Sequence, residues 1–206
     1  MRKLVINMSK ENLKALINGS DIRGIAVTTE EHEANLTEVE ARKIASGFLK
    51  LLKIDKNIKR TPIRIAIGYD SRITGPKLKE ALTDTFTKAG VTVLDAGLAT
   101  TPAMFMATQF SEIDADAGIM ITASHLPYFY NGLKFFTKEG GAEHEDMEKI
   151  VEYSESEVIS TTIGEVETVD LIDLYAKDMV RKIQEGSDMK QPLEGLRIVL
   201  DAGNGA

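Results

Sequence analysis

Apolar residues recur along the chain in two rhythms. In TEVEARKIASGFLKLL, from Thr37 to Leu52, the spacing places Val39, Ile44, Phe48, Leu49 and Leu52 on one side of a helix. Thr37 and Glu40 have the spacing of a capping box at its start. Pro76 to Lys88 reads as a second helix, with Pro76 suited to its first turn and Gly90 to its end. Pro102 to Gln109 reads as a third helix, and Glu143 to Tyr153 and Asp170 to Gln184 as two more with charged outer faces. Short β-rich runs lie between them. Ile63 to Ile67, Val91 to Leu94, Gly118 to Ile121 and Leu133 to Phe136 are predicted strands, the last following the turn pair Asn131-Gly132.

Strands alternating with helices of crossover length indicate an α/β fold with a mixed, mostly parallel sheet flanked by helices. Leu133 to Phe136 follows its predecessor too closely for a helical crossover, which is why the sheet is expected to be mixed. Leu196 to Leu200 reads as a further strand, behind a linker-like segment EGSDMKQPLEG and ahead of a Gly-rich turn, DAGNGA. The expected organisation is one domain over residues 1–190. Residues 191–206 then form a linker and the first strand of a truncated second domain. Without a sheet of its own, that strand should be poorly anchored or pair with a neighbouring edge.

Composition narrows the partners. The 206 residues are 43% hydrophobic and 28% charged, with a formal net charge of −7. The acidic balance argues against nucleic acid or an anionic membrane as the main partner. It still permits a local basic pocket for a phosphorylated small molecule. There are no cysteines, so disulfides and thiolate metal sites are excluded. No stretch approaches the ~20 apolar residues of a membrane span, and the N-terminus lacks a signal-peptide pattern. The expected location is the cytoplasm.

The richest chemistry lies in ITASHLPYFYNGLKFF. An apolar strand delivers Thr122, Ala123, Ser124 and His125 into a loop at its C-terminal end, where open α/β sheets usually place ligands. Ser124 offers a hydroxyl, His125 an adjacent acid/base group and Lys134 a cation on the next strand. A Ser-His hydrolase is one reading. Adjacent side chains on an extended segment diverge, however, and no nucleophile-elbow pattern is present. A non-catalytic sugar-phosphate-binding module is another. His32 and His144 stand among glutamates without the spacing of a metal site. Met104 and Met106 read as packing residues. Asp114 and Asp116 precede the Ser124 strand, at the wrong end of the sheet to serve a metal beside it.

TASHLPYFYNGLK resembles the TASHNPxxxNGxK phosphoserine loop of the α-D-phosphohexomutase superfamily, the phosphomannomutases and phosphoglucomutases among them. Leu126 stands where that pattern has asparagine. Three further segments fall in the family's order: SDIRG at Ser20–Gly24 resembles its YDIRG or GTxGIRG element, GYDSRITG at Gly68–Gly75 its GxDxRxSG, and DAGNGA its DxxNGAG turn.

The resemblance implies a phosphotransferase that interconverts hexose 1-phosphate and hexose 6-phosphate through phosphoserine and a bisphosphorylated sugar. Ser124, His125, Lys134 and Arg23 take catalytic roles in it, with Lys134 as general base and Arg23 as active-site arginine. Arg72, Thr122 and Asn131 fall at the phosphate or substrate, and an alternative role for Arg72 is an ion pair with Asp70. Mg2+ is the implied metal, with an oxygen of phosphoserine 124 as one ligand and the aspartate ligands of a DGDxDR loop beyond this chain. Hexose 1,6-bisphosphate is the implied activator and intermediate. TASH, rather than SASH, favours mannose or glucose phosphates, with a phosphoglucosamine mutase as the alternative. Without the other parts of the site, the chain alone is expected to lack mutase activity.

Overall fold

The computed structural model describes residues 10–156 and 158–203. Eight strands form one sheet: β1 (Ile17–Asn18), β2 (Asp21–Ile25), β3 (Arg64–Tyr69), β4 (Thr92–Leu98), β5 (Ala117–Ile121), β6 (Tyr130–Thr137), β7 (Gly140–Gly141) and β8 (Val166–Thr168). Their order is β1-β2-β6-β5-β3-β4-β8, with β7 beside β6. The β5-β3-β4-β8 half is parallel, while β6 joins β5 and β2 antiparallel. The sheet is therefore mixed, as the short interval before Leu133 requires.

Residues 10–14 are helical, and the helices that cover the sheet among the described residues are α1 (Glu38–Ile54), α2 (Gly75–Lys88), α3 (Thr101–Met106), α4 (His144–Tyr153) and α5 (Leu171–Ser187). Each lies within a few residues of its sequence-predicted position, because local signals set its ends. Thr37 caps α1, accepting from the Val39 N–H at 3.2 Å while its own N–H donates to Glu40 Oε2 at 3.0 Å. Thr100 caps α3, and Pro76 and Pro102 occupy first turns.

The period of two along each strand separates two cores. Ile65 and Ile67, Ile119 and Ile121, and Leu133 and Phe135 face the larger core beneath α1, α2 and α4. Ala66, Met120 and Phe136 face the smaller one, where Met104 of α3 and Leu171 of α5 pack. All five residues of β5 are buried, since helices cover the sheet on both sides there.

Some expectations need correction. Val39 is 57% exposed rather than packed, because Ala41, Ile44 and Phe48 define the buried stripe of α1. Residues 185–187, expected in a linker, complete the last turn of α5. Leu196 to Leu200 forms no strand: no ladder reaches it, and Val199 is 95% exposed. A strand needs a partner for its N–H and C=O groups, and none of the described strands lies beside it. Asn204, Gly205 and Ala206 of the DAGNGA turn lie outside the described residues. Among the described residues, no helix is long and apolar enough to cross a membrane.

The contact between α1 and α4 yields two predictions. A Cβ at Gly47 would sit 2.0 Å from the Ile150 carbonyl oxygen, so the helices approach closely only because Gly47 has no side chain. Gly47→Ala should lower the Tm by roughly 5 °C in a thermal melt, from the cost of overpacking. At the end of the same helix pair, Asp55 accepts from Lys149 at 2.5 Å, and that hydrogen bond holds its carboxyl below the ordinary 3.8. A carboxyl depressed in the folded state stabilises fully above its unfolded value and stops doing so as pH falls through the folded value. Asp55→Asn should therefore lower the Tm at pH 7 and leave it unchanged at strongly acidic pH, as read by paired melts.

Candidate active site

The loop that leaves β5 is built around an uncommon backbone conformation. Ser124 has φ +56, in the left-handed region, and its side chain is exposed. A non-glycine residue there is held by its surroundings, and such positions cluster at functional sites. The Ser124 N–H donates to Thr122 Oγ1 at 2.9 Å. The Thr122 hydroxyl in turn donates to Asp70 Oδ2 at 2.6 Å. Asp70 also accepts from the Arg72 N–H at 3.0 Å, which closes a turn at the end of β3.

Arg72 holds the rest of the loop. Its Nη1 donates to the carbonyls of Pro127 at 2.8 Å and Tyr130 at 3.0 Å. Its Nη2 donates to those of Ser124 at 2.8 Å and Leu126 at 2.7 Å. The remaining Nε lies 3.3 Å from Asp70 Oδ2, close enough for ionic attraction but not aligned as a hydrogen bond. Four carbonyls spread over seven residues thus converge on one planar cation, a geometry lysine cannot reproduce. Leu126 takes part through its backbone carbonyl, so the exchange of asparagine for leucine leaves this contact in place.

Asn131 and Thr122, expected at the phosphate, are both buried and serve the scaffold. Asn131 Nδ2 donates to Thr74 Oγ1 at 2.9 Å, and its Oδ1 accepts from the Gly132 N–H at 2.9 Å. This ties the start of β6 to the same GYDSRITG segment that holds Arg72. Gly132 is required there, because a Cβ would come within 2.6 Å of the Ile22 carbonyl oxygen and 2.8 Å of that of Thr122. Arg72 likewise has its guanidinium engaged by loop carbonyls, with Asp70 beside it. These contacts amount to more than the simple ion pair weighed from sequence.

Arg23 and Lys134 come together on neighbouring strands. Cross-strand register places Asp21 opposite Lys134, and Arg23 follows two residues later on the same face. Asp21 Oδ2 accepts from Lys134 Nζ at 2.5 Å, from Arg23 Nη2 at 2.7 Å and from Arg23 Nε at 3.1 Å. The Thr122 N–H bonds the Gly132 carbonyl at 3.0 Å, two residues from Lys134 in one direction and two from Ser124 in the other. At about 3.3 Å per residue, the Lys134 and Ser124 backbones are at most about 13 Å apart along the strand. Asp21 had no part in the sequence reading. The signal was present: in DIRG, residues two apart share a strand face, so an arginine assigned to the site brings an aspartate with it.

His125 is exposed, with Nδ1 3.4 Å from Ser124 Oγ. Among the described residues no carboxylate bonds its ring, so the orienting member of a hydrolase triad is missing. His144 Nδ1 lies 3.0 Å from the Gly19 carbonyl oxygen and His32 packs against the Phe129 ring; among the described residues no group of three or more His, Asp or Glu side chains is arranged to hold a metal ion. Asp114 and Asp116 lie before β5, at the opposite end of the sheet from Ser124. Asp114 pairs with Arg60 at 2.7 Å, and Asp116 accepts from the Arg64 N–H at 2.9 Å.

Residues 14–158 match the family described as "Phosphoglucomutase/phosphomannomutase, alpha/beta/alpha domain I". A phosphoglucosamine mutase from Corynebacterium jeikeium is 32% identical over 91% of this chain and 41% of its own length. A phosphoglucomutase/phosphomannomutase from Thermococcus kodakarensis is 35% identical over 90% of this chain and 39% of its own length. Among solved structures, a phosphoglucomutase/phosphomannomutase family protein from Burkholderia thailandensis aligns with a TM-score of 0.68 and 25% identity, over 82% of this chain and 36% of that one. The chain spans about two-fifths of the length of these curated relatives. By the family match and by these relatives, the chain belongs to the phosphoglucomutase/phosphomannomutase family and carries its α/β/α domain I.

Proposed function

We propose that the chain is the phosphoserine-bearing domain of a phosphohexomutase, with Ser124 as the residue that accepts and returns the phosphoryl group. The observation that carries this reading is an exposed serine in the left-handed conformation, at the C-terminal end of a central strand, on a loop fixed by Arg72. An exposed hydroxyl on a rigid loop suits in-line phosphoryl transfer, which depends on positioning and charge stabilisation. In the first half-reaction the Ser124 Oγ–phosphorus bond breaks as a sugar hydroxyl forms its own bond to phosphorus. Lys134, held by Asp21, is the proposed base that takes up the proton the sugar hydroxyl loses, and His125, with Nδ1 3.4 Å from Ser124 Oγ, is placed to supply the proton that the departing serine oxygen gains. The bisphosphorylated sugar then presents its second phosphate, and the Ser124 ester re-forms.

Mg2+ would supply charge stabilisation at the phosphate oxygens, with the Ser124 phosphate as the ligand from this chain. The described residues hold no group of three or more His, Asp or Glu side chains arranged for a metal, so by themselves they do not make its site. Hexose phosphates are the proposed substrate class. The relatives' names divide between glucosamine phosphate and glucose or mannose phosphate, so the substituent at C2 of the sugar is the variable to test.

The experiment is intact-mass analysis with peptide mapping after incubation with the 1,6-bisphosphates of glucose, mannose and glucosamine. The expected result is one phosphate on the Ser124 peptide, absent in Ser124→Ala, with one of the three sugars reacting fastest. Sugar-phosphate binding with no phosphate ever found on Ser124 would replace this reading with a binding module. Labelling of Ser124 by a fluorophosphonate would replace it with a hydrolase. In the same assay Arg72→Lys, which cannot reach four carbonyls, should slow phosphate incorporation by about a hundredfold, the scale of a modest misplacement of reacting groups.

A further inference from the structure

We infer that Asp21 is a positioning residue that acts as an internal stand-in for phosphate, keeping Arg23 and Lys134 gathered when no phosphate is bound. The inference rests on the reading of these two cations as phosphate-facing groups. It goes further by assigning the carboxylate between them.

The geometry is that of an anion-binding site already occupied. One oxygen of Asp21 takes three donors from two cations, at 2.5, 2.7 and 3.1 Å. Asp21 and Arg23 belong to β2 and Lys134 to β6, so the cluster joins two strands through their side chains as well as their ladder. The side chain of Asp21 is 8% exposed, whereas those of Lys134 and Arg23 are 22% and 17% exposed. The carboxylate is thus nearly shielded from water, and the cations retain a solvent-facing side from which a phosphate could be reached.

Two cations this close repel each other, and a long lysine side chain loses rotational freedom when it is held. The carboxylate offsets both costs before any ligand arrives. It also competes with the ligand, since the donors that hold Asp21 are of the kind a phosphate would use. At neutral pH the cluster keeps one uncompensated positive charge, enough to attract a phosphate and to release it again. Without the carboxylate the charge would double and the competing acceptor would be gone.

The test is binding of inorganic phosphate, measured by isothermal titration calorimetry on the full chain. Asp21→Asn should bind phosphate about tenfold more tightly than the unaltered chain, the worth of one charge-assisted hydrogen bond. Adding Lys134→Met to Asp21→Asn should remove that gain, and Asp21→Glu should stay within about twofold of the unaltered chain because a competing carboxylate remains. Unchanged or weaker binding by a folded Asp21→Asn protein would overturn the inference, since a purely structural aspartate predicts that outcome.

A second measurement needs no change at position 21. In the chain reductively methylated with 13C, the Lys134 resonance is assigned by its absence in Lys134→Arg. It should report a restrained side chain without phosphate and shift when phosphate is added. A Lys134 signal as mobile as that of exposed Lys177 would overturn the inference even if Asp21→Asn did not fold. None of these readouts uses phosphoserine. Absence of phosphate on Ser124 would therefore count against the catalytic reading alone.

Discussion

The loop that presents Ser124 depends on a single guanidinium. A chain that turns sharply after a buried strand brings several carbonyls toward one point, where a shared donor can hold them together. Arg72 meets four of them from one side chain: those of Ser124, Leu126, Pro127 and Tyr130. The positive charge it brings inside is met by Asp70, which also orders the Thr122 hydroxyl and through it the Ser124 N–H. The serine can be exposed and still fixed because its backbone, rather than its side chain, is the part that is held.

Two structural units converge on this end of the sheet, each with one carboxylate. Asp70 serves Arg72 in the β3–α2 turn, and Asp21 serves Arg23 and Lys134 on the antiparallel side. The mixed sheet matters here. Parallel strands place β3 and β5 with their C-terminal ends together, so the Arg72 turn can reach the Ser124 loop. The antiparallel return of β6 then carries Lys134 back along β5 and opposite Asp21. An all-parallel sheet would need a long crossover between Ser124 and Lys134 and could not set them ten residues apart in sequence.

Much of this was legible before the structure. The helices announced themselves by caps, prolines and apolar spacing, and the central strands by short apolar runs. Strand β2 escaped notice because DIRGI has charges on one face and only Ile22 and Ile25 as large apolar residues, so it does not look like a strand until its partner is known. Asp21 was hidden for the same reason. The residues of the Ser124 loop were visible as a group, but their duties were not. Asn131 and Thr122 are polar residues in a chemically rich motif, and sequence gives no means of telling a polar side chain that faces a ligand from one that holds the loop. Burial decides it here, since both are shielded from solvent. Leu196 to Leu200 shows the converse limit: strand propensity predicts a strand, but only a partner makes one.

Charge arithmetic sets what these residues can do alone. A phosphoserine at position 124 would carry about −1.5 to −2 charges at neutral pH. The Arg72–Asp70 pair is neutral overall, and its donors face the loop backbone. The Arg23–Lys134–Asp21 cluster offers a single net positive charge. His125 adds a further proton donor when charged, next to the hydroxyl itself. The described residues therefore hold Ser124 firmly and would neutralise a phosphoryl group there only in part. Full stabilisation of the charge on a transferring phosphoryl group calls for more positive charge than this cluster has. On the proposed reading, a firmly held loop with an incompletely balanced charge would present a phosphoserine ester without stabilising it so well that the phosphoryl group could not be given up.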